Sequence, residues 1–76
     1  GSLQQFLFEP NNVATHTRIQ DRITKALARW EPRIAVESVK VDPDPEDPEA
    51  AIATITYKLV ATQARERVSL SVTLAS

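Results

Sequence analysis

The chain has 76 residues, with nine basic against ten acidic side chains and a net charge of −1, which bounds it to one small domain and argues against bulk attraction to nucleic acid or an anionic membrane. The absence of cysteine and a single histidine, His16, exclude disulfides, thiolate metal sites and a zinc centre built from this chain alone, and no apolar run approaches the roughly 20 residues needed to span a bilayer. A domain of this size buries only about 60% of its unfolded surface, so oligomerisation or docking is the obvious further source of stability.

The chain opens almost directly on the apolar residues Leu3, Phe6, Leu7 and Phe8, a cluster that needs something to pack on. The expectation is a single domain over residues 1–76, the core of a protein that lacks its N-terminal segment. With one glycine in the whole chain, turns must rest on proline, asparagine and aspartate. Pro10-Asn11-Asn12 is a helix-start signal, in which either asparagine can serve as the cap. From about residue 12 to residue 30, Ile19, Ile23, Ala26, Leu27 and Trp30 recur in steps of three and four. That spacing predicts an amphipathic helix whose core face includes Trp30. Pro32 stops it, because proline biases Glu31 away from helical geometry.

The remainder reads as strands. Residues 34–42 are β-branched and alternate, with a slip of phase near Ser38 that marks a bulge. Residues 42–49 read as a stiff acidic connector punctuated by Pro43, Pro45 and Pro48. Residues 51–62 and 66–74 alternate cleanly, and the short link Gln63-Ala64-Arg65 suits an antiparallel hairpin. The expected fold is therefore α+β, one amphipathic helix packed on a three-stranded antiparallel meander. Neither predicted edge strand contains a proline, and an exposed edge is ready to pair with another chain.

Trp30-Glu31-Pro32-Arg33 is the most telling stretch. Glu31 sits at the negative end of the helix dipole, where a carboxylate is disfavoured by roughly 0.3–1 kcal/mol. Such a charge invites a partner, either Arg33 or Arg29 in the chain or donors on another subunit. Pro32 holds Glu31 and Arg33 in a fixed relation, which suits docking. Arg18, Arg22, Lys25 and Arg29 recur beside the apolar stripe and read first as a solvated helix face. No aromatics interleave with them as a nucleic-acid surface would require.

Metal and catalytic readings fail on the residues. Asp42, Asp44 and Glu46 alternate like calcium ligands, but the sharp-turn glycine is missing and the closing glutamate position falls on Ala53. A glycosidase needs two carboxylates facing across a cleft, one with a raised pKa. Glu9, Asp21, Glu31 and Glu37 are the candidates outside the acidic stretch and Glu66, and their spacing implies no cleft. His16 lies in the first turns of the helix without a nucleophile-elbow pattern. The expectation is a protein that is not an enzyme, with no catalytic residue, cofactor or metal.

Phe8-Glu9-Pro10-Asn11 before the helix and Ala28-Arg29-Trp30-Glu31-Pro32-Arg33-Ile34 after it resemble the gene-25-like baseplate wedge family of contractile-tailed phages, whose type VI secretion relative is TssE. The resemblance implies a structural baseplate component of a contractile injection machine, whether phage tail, tailocin or type VI secretion. It implies that Glu31, Pro32 and Arg33 dock on the helical core bundle of the wedge. It further implies that a sheet edge, formed by Val68, Ser69, Leu70, Ser71, Val72 and Thr73, pairs with sheath strands to start sheath polymerisation. The implied partners are baseplate wedge proteins and the sheath protein, with no nucleic acid, membrane span or small-molecule ligand. The implied location is the cytoplasm during assembly and, in a phage, the tail baseplate of the virion. Members of this family have been labelled lysozymes by name. The alternative is a regulatory binding module, because an anti-adaptor of the same fold family binds a response regulator instead of a baseplate.

Overall fold

The computed structural model describes residues 8–75; Leu3, Phe6 and Leu7 of the N-terminal apolar cluster lie outside them. The elements are α1 (Val13–Trp30), β1 (Ile34–Asp44), β2 (Asp47–Leu59) and β3 (Arg65–Thr73). The strands form one antiparallel sheet in the order β1-β2-β3, so the predicted helix-plus-meander architecture is the observed one.

Each boundary has a local cause. Asn12, in extended geometry, caps α1 by accepting the Thr15 N–H at 3.0 Å. Asn11 does a different job. Its side-chain amide donates to the carbonyls of Pro48 at 3.1 Å and Ala50 at 2.8 Å, while its Oδ1 takes a hydrogen bond from Nε2 of the buried His16. Both Nδ2 protons are spent on carbonyls, so the Asn11 oxygen faces the ring and His16 must carry its proton on Nε2. The start of the helix is thereby bolted to the start of β2.

In β1 the register shifts between Val36 and Ser38, the bulge expected from the slip of phase. The extra residue is Glu37, whose carboxylate meets Arg65 Nε at 3.0 Å. The acidic stretch differs from expectation. Instead of a connector, its residues extend both strands, and Asp44 faces Asp47 across a tight turn at Pro45 and Glu46. The Asp44 and Asp47 side chains accept the N–H groups of Glu46 and Glu49, each at 2.9 Å, which satisfies the turn locally. Pro43 therefore lies inside an edge strand, where a missing N–H is tolerated. The β2 strand ends at Leu59, earlier than predicted, and the hairpin is correspondingly longer. Its turn places Gln63 at φ 63°, a left-handed position that glycine would normally fill.

The core comprises Ile19 and Ile23 from the helix, Val39 and Val41 from β1, Ala51, Ala53 and Ile55 from β2, and Val72 with Leu74. Cross-strand partners on this face are Val39 with Ile55, Val41 with Ala53, and Ala51 with Val72. The helix concentrates its contacts on β1, so cover thins toward β3. Burial also falls along the helix: Ile19 is fully buried, Leu27 partly, and Trp30 is 69% exposed. Trp30 is thus not a core residue, and Ala26 is exposed as well. Both line a surface depression with Arg22, Lys25 and Arg29, because the core ends before the helix does.

Candidate docking surface

The turn after α1 is built from backbone bonds at both of its ends. The Glu31 N–H closes the last helical turn onto the Leu27 carbonyl at 2.9 Å, and the Ile34 N–H returns to the Glu31 carbonyl at 3.3 Å. Between them Pro32 occupies the second position of a four-residue turn, where its fixed φ is favourable. The Arg33 carbonyl then accepts the Val60 N–H at 2.9 Å, which ties the turn to the β2–β3 hairpin.

On this base the Arg33 Nη2 reaches the Glu31 carboxylate at 3.3 and 3.5 Å. Of the partners open to Glu31, Arg33 is the one it takes, while Arg29 lies 5.0 Å over the Trp30 ring. The Glu31–Arg33 pair is long and its side chains are 39% and 82% exposed, which limits its worth to the 0–1 kcal/mol typical of surface pairs. A stronger partner could replace it at small cost.

Glu31 and Arg33 also line a cleft of about 420 Å³ between the end of the helix and the sheet. Its floor and walls are apolar: Leu27, Ile34, Ile55, Tyr57, Leu59 and Val68. Sequence reasoning missed this cleft. Leu27 lies on the apolar face that the spacing predicts, but the opening exists because burial declines toward the helix end.

Val68, 44% exposed, links the cleft to β3. Of the predicted edge residues, Ser69, Ser71 and Thr73 are exposed, Leu70 is partly buried, and Val72 is buried. The Val72 side chain packs in the domain's own core, so on this strand the exposed side chains of Ser69, Ser71 and Thr73 and the backbone groups are what a neighbour meets first. The two predicted surfaces, Glu31 to Arg33 and the start of β3, meet at one end of the domain.

The helix ridge is largely committed. Arg18 forms two hydrogen bonds of 2.9 Å to Glu9, and Lys25 pairs with Asp21 at 3.0 Å. The four carboxylates considered for catalysis each face a base rather than one another: Glu9 with Arg18, Asp21 with Lys25, Glu31 with Arg33, and Glu37 with Arg65. The Arg18 hydrogen bonds and charge hold the Glu9 carboxyl below the ordinary glutamate range, opposite to what a general acid requires. Among the described residues, no three His, Cys, Asp or Glu side chains gather in a way that could hold a metal.

Comparison with known families finds a match over residues 2–64 to the family described as baseplate wedge protein gp25. The helix, the Glu-Pro-Arg turn, β1 and β2 lie inside that span, and β3 lies beyond it. Among solved structures, a candidate tail lysozyme from Geobacter sulfurreducens superposes with a TM-score of 0.83 at 26% identity, covering 97% of this chain and 67% of that one. Comparison with curated proteins finds no match.

Proposed function

The chain belongs to the gp25 family of baseplate wedge proteins, and from that premise we propose that it is a non-catalytic structural piece of a contractile baseplate. Glu31, Pro32 and Arg33 dock it onto the helical core of the wedge. The outer edge of β3 receives a strand of the sheath protein. The observation that carries this reading is the pair of charges held at the rim of an apolar cleft by a proline turn. A partner can insert an apolar anchor there while exchanging the weak Glu31–Arg33 pair for contacts across the interface, the combination found at interaction hot spots. The family name and the basic partner of each candidate carboxylate both support a role without catalysis, although the Geobacter protein is described as a candidate lysozyme.

The double variant Glu31→Ala, Arg33→Ala tests the docking role. It should keep its circular dichroism spectrum and melt within about 1 kcal/mol of the parent, because the pair is exposed, yet fail to co-purify with wedge proteins. Normal wedge assembly by a folded double variant would refute the docking claim. Recovery of a single soluble signalling partner in place of baseplate proteins would favour a regulatory module. The purified domain should release no soluble fragments from peptidoglycan.

A further inference from the structure

The two edges of the sheet are protected to very different degrees. The outer edge of β1 carries the Glu37 bulge, Lys40, Asp42 and Pro43, which are devices that discourage a second strand. β3 has none of these after Arg67: its residues Val68, Ser69, Leu70, Ser71, Val72 and Thr73 hold no charge, no proline and no register shift. It is also the least covered strand, with Val68 exposed and the helix standing over β1.

The direction of its backbone groups follows from two bonds. The Leu74 N–H turns inward to the Glu49 carbonyl at 2.6 Å, while the Ala75 N–H turns outward to the Glu9 carbonyl at 2.9 Å. In an antiparallel strand the N–H and C=O of one residue share a side, and sides alternate. Arg67, Ser69, Ser71 and Thr73 therefore present theirs to the outside, and among the described residues the Glu9 contact caps the far end of the edge.

We infer that β3 pairs with β3 of a second copy about a two-fold axis at Leu70, joining two sheets into one antiparallel six-stranded sheet. In that register Ser69 faces Ser71 and Arg67 faces Thr73 as hydrogen-bonded pairs. Val68 faces Val72, and the two Leu70 residues face each other, as non-hydrogen-bonded pairs. No charge meets its like, because Arg65, Glu66 and Arg67 crowd one end of the strand, and antiparallel pairing sends the two charged ends apart. The apolar face then runs unbroken across the seam and covers Val68. The symmetric arrangement is self-complementary and closed, so it stops at a dimer. The dimer stands or falls independently of the sheath reading, although any strand that used this edge would have to displace it.

The chain has no cysteine, which makes the register directly testable. Ser69→Cys and Ser71→Cys lie on the exposed face and should leave the fold intact. Oxidation of a 1:1 mixture should give several-fold more disulfide dimer than either variant alone, because residues opposite each other lie about 4.5–5.5 Å apart at Cβ and their diagonal neighbours about 7–8 Å. Sedimentation of the unmodified chain over rising concentration should show its mass doubling from 8.4 kDa. Ser69→Pro removes an outward N–H and one long, exposed hydroxyl contact with Thr54 at 3.4 Å, and should abolish that doubling with an unchanged circular dichroism spectrum. A mass that stays at 8.4 kDa up to several hundred micromolar, a dimer untouched by Ser69→Pro, or equal cross-linking in all three samples would each overturn the inference. Those outcomes would leave the edge to another segment of the chain or to an unrelated strand.

Discussion

Asn11 and Asn12 are adjacent, identical in chemistry and unequal in consequence. Asn12 supplies one capping bond, and its replacement by alanine should cost about 1 kcal/mol. Asn11 joins His16, Pro48 and Ala50, so Asn11→Ala leaves several partners unsatisfied at a partly buried point and should cost about 2–3 kcal/mol. Urea unfolding of the two variants checks the order, and equal losses would refute the assignment. A similar contrast separates Trp30 from Ile19. Trp30→Ala should cost only about 0.5–1 kcal/mol, the scale of its exposed contact with Arg29. Ile19→Ala, at a fully buried position, should cost about 2–5 kcal/mol. The core isoleucine was legible in the sequence, and the cap was legible as one of two asparagines, between which the structure chooses Asn12. The Asn11 clamp was not, because its acceptors lie 37 and 39 positions away in the chain.

Among the elements, the β2–β3 hairpin carries the clearest local tension. Gln63 occupies left-handed geometry, held by its own N–H to the Leu59 carbonyl at 2.8 Å and its side chain to Val60 at 3.0 Å. A side chain at such an angle costs roughly 1–2 kcal/mol, of which glycine would recover part against its larger loss of chain entropy. Gln63→Gly should therefore raise stability by up to about 1 kcal/mol in thermal unfolding, and a lowered melting temperature would argue against strain at this turn. The helix, the bulge and the alternation of β2 and β3 were readable because each is a periodic or short-range pattern. The acidic stretch was misread for a physical reason. Aspartate and proline signal a turn wherever they occur, but side-chain bonds from Asp44 and Asp47 confine the turn to Pro45 and Glu46 and release the flanks to pair.

As a whole the molecule is long and thin, 40 × 25 × 16 Å, with a radius of gyration of 12.9 Å. A compact chain of this length would have about 11.4 Å. Among the described residues one helix does not cover three strands, and the shortfall appears as the cleft, the exposed Val68 and the open stretch of β3. Links that fasten the periphery should then matter to acid stability, and Glu9–Arg18 is one of them. The folded-state pKa of Glu9 lies below the ordinary value of 4.5. Its contribution is therefore complete above that value and is lost as pH falls through the lower, folded one. Melting temperatures of Glu9→Gln should fall less steeply than those of the parent below about pH 4.5, and parallel curves would show the pair to be inert. The sequence by itself determined the α+β class, the helix and its start at one of two asparagines, the order of the strands and the Glu-Pro-Arg turn, since these depend on period, capping and proline geometry within a few residues. Only the tertiary structure decided that Trp30 faces solvent, that Glu31 and Arg33 rim an apolar cleft, and that among the described residues β3 is the less protected edge. A period states which way a side chain points, whereas burial depends on where the neighbouring element ends.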